Sequence, residues 1–138
     1  MPNLKIDPTY KSPLIIADDE KGLIEIKGRS LPENVSQVYE PLFQWIQEYI
    51  KNPRSTTTLN IQLEYFNTSS SKALMEIFNQ LSILKQKGLD IKINWYYEED
   101  DPDMEEQGEM FGKLTKLPIE MISVKEFIFD FYHNKDDQ

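Results

Sequence analysis

The chain has no cysteine among its 138 residues, which removes disulfides, thiolate metal sites and cysteine nucleophiles together. Its one histidine, His133, stands in a polar tail ending Asn134-Lys135-Asp136-Asp137-Gln138, so neither a histidine-based triad nor a multi-histidine metal site can be assembled. Five glycines never gather into a phosphate-cradling loop, and no nucleotide fingerprint is present. No apolar run reaches bilayer-spanning length. The start, Met1 to Asp7, lacks the apolar core and small-residue cleavage site of a secretory signal. Positive charge is also scarce: 15 Lys and Arg face 24 Asp and Glu, a net −9. That sign opposes binding to nucleic acid or to anionic lipid, and it steers in basic partners instead. Catalysis would rest on carboxylates and hydroxyls alone, and no spacing selects a pair. The expectation is a soluble, cytoplasmic, non-enzymatic protein without cofactor or metal.

What is present is the material of a folded domain. Hydrophobic residues make up 39% and aromatics 12% of the chain, enough for one domain with a real core. Leu14–Ala17 and Leu23–Lys27 read as strands joined by the polar, glycine-bearing Asp18–Gly22. Gly28 to Asn34 then punctuates the chain. A first helix carries Val35, Val38, Tyr39, Leu42, Phe43, Ile46, Tyr49 and Ile50 on one stripe, with a bend expected at Pro41. A strand from about Thr57 to Tyr65 and a helix from about Ser69 to Lys87 follow, the helix closed by Gly88. Ile91–Tyr97 alternates as a further strand, a third helix carries Met104, Phe111 and Leu114, and Ile119–Val124 is the last strand. The order β-β-α-β-α-β-α-β, with crossover-length helices, predicts a single α/β domain with a mixed sheet and helices packed on it.

Four segments invite a functional reading. Asn67-Thr68-Ser69-Ser70 stands where the period changes from 2 to 3.6, at a strand-to-helix turn. Such residues cap helices. Equally, a phosphate placed there would meet free N–H groups and the positive end of the helix dipole. Capping and phosphoswitch are both open from spacing alone. The acidic run Glu98 to Glu106 suits a solvated helix start with Pro102 in its first turn, or a partner-facing surface; it does not match a calcium-binding loop. Trp95 and Tyr97 share one face of an alternating strand and Tyr96 takes the other; most of these rings, like Trp45 and Tyr49, read as core packing rather than an aromatic binding face. Phe127, Phe129 and Phe131 alternate in the tail, which would pack back as an added strand or bind another chain.

Leu63 to Ser70 resembles the signature of the SiaC family of bacterial biofilm and signalling regulators. Gly28 to Asn34 is similar to that family's motif before its first helix. Trp95-Tyr96-Tyr97, Asp100 to Met104 and Gly108 to Phe111 are similar to its C-terminal half. The resemblance spans roughly residues 5 to 124, leaving 125–138 as an extension of a single SiaC-like domain. It implies a fold of the anti-sigma-factor-antagonist (STAS) type and a partner-switching role. A serine/threonine kinase would phosphorylate the protein, a PP2C-type phosphatase would reverse this, and the unmodified form would bind and activate a diguanylate cyclase. By that resemblance the phosphoacceptor falls on Thr68, with Asn67, Ser69 and Ser70 flanking the switch or binding the partner. The alternative is a constitutive interaction module in which Thr68 serves only as a helix cap.

Overall fold

The computed structural model describes residues 1–131; His133 lies outside the described residues. Its elements are β1 (Leu4–Ile6), β2 (Leu14–Asp18), β3 (Leu23–Ser30), α1 (Val35–Tyr49), β4 (Thr56–Phe66), α2 (Thr68–Gln86), β5 (Asp90–Glu98), α3 (Pro102–Thr115) and β6 (Ile119–Val124). The six strands form one sheet in sequence order. β1, β2 and β3 pair antiparallel, while β3, β4, β5 and β6 run parallel. Each parallel connection carries a helix, as a parallel crossover requires.

One face of the sheet is mostly apolar. Ile15 pairs laterally with Ile26, Ile26 with Ile61, and Ile61 with Trp95. All four are buried, in one cluster with Leu42 and Ile46 of α1, Leu74 and Phe78 of α2, and Phe111 of α3. The helices therefore pack on that face. The opposite face carries a polar ladder, in which Asn94 Nδ2 donates to Asn60 Oδ1 at 2.8 Å and Asn60 Nδ2 to Glu25 Oε2 at 3.3 Å. A mixed sheet with helices packed against it is the expected α/β class, and the arrangement is compatible with the anti-sigma-factor-antagonist type.

Three details depart from the sequence-based expectation, and a fourth, at Pro41, agrees with it. β1 is an additional edge strand, too short at three residues to show a period. β3 runs on through Gly28 to Ser30, because a bulge between Gly28 and Arg29 lets the pairing with β4 continue. α1 passes through Pro41 as one helix, in line with the apolar stripe that continues across it; Gln37, whose carbonyl loses its partner there, is exposed to water. The segment after Val124 adds no strand among the described residues. Instead the rings of Phe127, Phe129 and Phe131 stack on one another at 5.3 and 5.2 Å. Phe127 N–H donates to Glu98 Oε2 at 2.8 Å, and Glu98 is in phase with Asn94 on the helix-free face.

Gly108 explains how α3 reaches the sheet. A Cβ at this position would lie 2.6 Å from Trp95 Cδ1 and 2.8 Å from Met121 Cε. The bare backbone lets the indole Nε1–H of Trp95 donate to Met104 O at 3.0 Å. Trp95 thereby satisfies its one donor inside the core.

Candidate functional site

β4 is central in the sheet, and its C-terminal end delivers the chain directly into α2. In an open α/β sheet this end of the parallel strands is where ligands and partners are met. Asn67 caps α2: its backbone is extended, and its Oδ1 accepts from Ser70 N at 2.9 Å. Thr68 is the first helical residue, exposed, and its side chain makes no hydrogen bond among the described residues. The capping role proposed for Thr68 therefore belongs to Asn67. Physically, a side chain can bond the third N–H of the helix only from the extended residue that precedes it.

The four neighbouring polar residues divide by direction. Ser69 is exposed like Thr68, whereas Ser70 is fully buried. Ser70 Oγ donates to Ser30 O at 2.9 Å and lies 2.7 Å from Ser30 Oγ, which in turn is 2.7 Å from Tyr39 Oη. Counting protons orders this chain: Tyr39 donates to Ser30, Ser30 to Ser70, and Ser70 to the Ser30 carbonyl. That carbonyl also accepts Asn67 N–H at 3.0 Å. Burial pushes the Tyr39 phenol up to about 12 despite the bond to Ser30. The relay ties the ends of β3 and α1 to the first turn of α2. Ser70 is thus tied into the fold, its hydroxyl closed to solvent directly behind the exposed Thr68 and Ser69.

Thr68 opens onto a groove of about 470 Å³ between the starts of α2 and α3. Glu64, Asp101, Asp103 and Glu106 contribute to its walls, with Tyr65, Asn67, Ser71 and Gln107, and no Lys or Arg lines it. The acidic run accordingly forms a helix start: Asp101 caps α3 by accepting from Met104 N at 3.1 Å, and Pro102 sits in the first turn. Among the described residues no group of three or more His, Asp or Glu is placed to hold a metal ion. Behind the groove, Arg29 Nε donates to Glu64 Oε2 at 2.9 Å, and the guanidinium lies 4.6 Å from the centre of the Tyr10 ring. Tyr97 O–H donates to Glu105 at 3.0 Å, and that carboxylate raises the phenol's pKa.

Sequence reasoning located Thr68 but missed Ser30, Tyr39 and the convergence of Glu64 with the acidic run. Glu64 and Asp101 are far apart in the chain and meet only because β4 and β5 are neighbours. Ser30 carried one readable signal, its place within the Gly28 to Asn34 segment.

Trp95 and Tyr97 take the helix face as expected, and Trp45 and Tyr49 stack in the core at 4.9 Å. Leu114 departs from the expected core stripe and is exposed. No helix among the described residues is long and apolar enough to cross a membrane.

Comparison with known proteins agrees with this geometry. An uncharacterised protein of Pseudomonas aeruginosa strain UCBPP-PA14 is 29% identical over 119 residues, covering 86% of this chain and 94% of that one. The crystal structure of apo-SiaC from Pseudomonas aeruginosa superposes with a TM-score of 0.81 at 29% identity, covering 88% of this chain and 99% of the other. A chain in the crystal structure of the diguanylate cyclase SiaD in complex with its activator SiaC, also from Pseudomonas aeruginosa, gives 0.83 at 27% identity, with 88% and 99% covered. The family model of SiaC regulatory phosphoproteins matches residues 6–124. The chain belongs to the SiaC family of regulatory phosphoproteins.

Proposed function

We propose that this chain is a non-enzymatic phosphoswitch whose Thr68, when unmodified, permits docking on a diguanylate cyclase and, when phosphorylated, prevents it. A serine/threonine kinase writes the mark and a PP2C-type phosphatase removes it, with both acting in the cytoplasm. The chain works as one SiaC-like unit, to which residues 125–138 are an extension outside the family match. The observation that carries the reading is the division of labour at the start of α2: Asn67 performs the capping, leaving an exposed Thr68 hydroxyl with no structural duty. The cyclase enters through the solved complex of the relative with SiaD.

Phosphorylation adds about −1.5 to −2 charges and three acceptor oxygens at neutral pH. At the first residue of α2 the isolated protein tolerates this, because first-turn N–H groups lack intrahelical partners and the helix dipole favours the anion. A docked partner changes the balance. It would have to strip water from a dianion standing beside Glu64, Asp101, Asp103 and Glu106, and a buried, incompletely paired charge costs several kcal/mol. A full switch from 99:1 to 1:99 needs about 5.5 kcal/mol of differential affinity, which is within that range.

The test has two parts. Intact-mass spectrometry with fragment mapping on protein from its own cells should find a phosphate on Thr68. Calorimetric titration of the cyclase from the same cells should give strong binding to unmodified protein and a collapse of affinity with stoichiometric phosphorylation, while both forms melt alike. Equal affinities with intact folds would remove the switch.

A further inference from the structure

The outer face of α3 has no structural task. Met104, Gly108 and Phe111 face the core. The opposite stripe holds Asp103, Glu106, Gln107, Met110, Lys113 and Leu114, at spacings that keep them on one side of a helix. Met110 is 40% and Leu114 62% exposed. A second groove of about 470 Å³, lined by Glu106, Gln107, Glu109, Met110, Lys113 and Leu114, runs along this stripe. It shares Glu106 and Gln107 with the groove at Thr68, so the two are adjacent along α3. Tyr65, 57% exposed, borders the Thr68 end. Three of the six exposed large hydrophobics among the described residues, Tyr65, Met110 and Leu114, thus lie on one surface.

We infer that this surface docks an amphipathic helix of the target, whose apolar side covers Met110 and Leu114 and whose Lys or Arg residues face Asp103 and Glu106 beside Thr68. The inference rests on the phosphoswitch reading and names the surface that the switch controls. Three features select this occupant. From Asp103 to Leu114 the stripe is about 16 Å long at 1.5 Å per residue, which suits about three turns of a partner helix lying along a groove. Its exposed apolar residues provide the buried contacts that give such docking its energy. Its charge is one-sided even with Glu64 matched by Arg29: Asp101, Asp103, Glu106 and Glu109 stand against Lys113 alone, so an acidic helix would be repelled and a basic one steered in.

The phosphate then acts in two ways. It fills the head of the groove, and it overturns the charge match, since target cations sufficient for the carboxylates do not also balance a dianion. The block is therefore partly steric: a large neutral side chain in Thr68→Trp should interrupt docking, whereas Thr68→Val should not.

The experiment is site-specific photocrosslinking in the protein's own cells, with benzoylphenylalanine replacing Gln107 or Leu114 on α3, or Lys92 on the helix-free face. The expected result is a crosslink from both α3 positions to a segment with helical apolar periodicity and at least two Lys or Arg, and none from Lys92. With the probe at Gln107, Leu114→Ser should lower the yield about tenfold. Glu106→Lys should do the same, and Glu106→Gln should lower it only about threefold. Thermal melts should stay unchanged, because these side chains are exposed. Crosslinks confined to Lys92, capture of an acidic or non-helical segment, or no α3 crosslink at all would overturn the inference. If the α3 crosslinks fail while Thr68 phosphorylation still controls the cyclase, the surface is wrong and the switch stands. If a basic helix is captured regardless of the state of Thr68, the surface stands and the switch is wrong.

Discussion

Thr68 and Ser70 are two positions apart, carry similar hydroxyls, and should respond to alanine in opposite ways. Ser70→Ala removes the donor to the Ser30 carbonyl and the acceptor for the Ser30 hydroxyl. The carbonyl keeps Asn67 N–H, so it is not stranded. The hydroxyls are different: with three proton-bearing groups ordered head to tail, loss of the terminal acceptor leaves one buried O–H without a partner. An unsatisfied buried donor costs about 1–3 kcal/mol, and the lost bond belongs to the same account rather than adding to it. With a urea dependence of about 1–3 kcal/mol per molar, a loss of 2 kcal/mol moves the unfolding midpoint down by about 1 M. Thr68→Ala touches an exposed side chain that makes no hydrogen bond among the described residues, so its effect should stay within about 0.5 kcal/mol. Equilibrium urea unfolding of the two variants beside the parent measures both. Mass spectrometry of each, isolated from its own cells, should show phosphate lost in Thr68→Ala and retained in the folded fraction of Ser70→Ala. An unmoved midpoint for Ser70→Ala, or an equal loss from Thr68→Ala, would refute the assignment of structure to one hydroxyl and signalling to the other.

Gly108→Ala should destabilise by about 1–2 kcal/mol, because overpacking against Trp95 and Met121 outweighs the roughly 1 kcal/mol gained in helix propensity. Gly112→Ala, whose Cβ would meet Ile119 at an ordinary 3.9 Å, should instead stabilise by about 0.5–1 kcal/mol; thermal melts of the pair give the two signs. Asn67→Ala should cost about 1 kcal/mol by uncapping α2, read from its urea midpoint, and Asn67→Asp should recover most of it. The buried Tyr39 phenol is raised to about 12 from its ordinary value near 10. The folded state therefore holds its proton where the unfolded chain has released it. Stability is full below about pH 10 and falls by about 1.4 kcal/mol per pH unit up to about pH 12; Tyr39→Phe should flatten that decline, and an unchanged slope in alkaline urea titrations would count against it.

The sequence by itself determined the α/β class, three crossover helices and the position of Thr68. These rest on short-range signals: the alternation of Leu59 to Tyr65, the helical spacing from Ala73 to Leu84, and the polar residues between them. A cap is also local, yet its owner was not legible, because Asn, Thr and Ser in succession all suit the position and only the backbone of Asn67 singles it out. What the tertiary structure decided is long-range. β1 is too short for a period and exists because the edge of β2 offers partners. Ser30 continues a strand through a bulge that the pairing with β4 tolerates. Leu114 stands only three residues from the buried Phe111, but it falls on the other side of α3 and is exposed. The groove at Thr68 arises because parallel neighbours β4 and β5 bring Glu64 and Asp101 to the same end of the sheet. Periodicity reports which face of an element is apolar; which elements then share an edge depends on pairing across the whole chain.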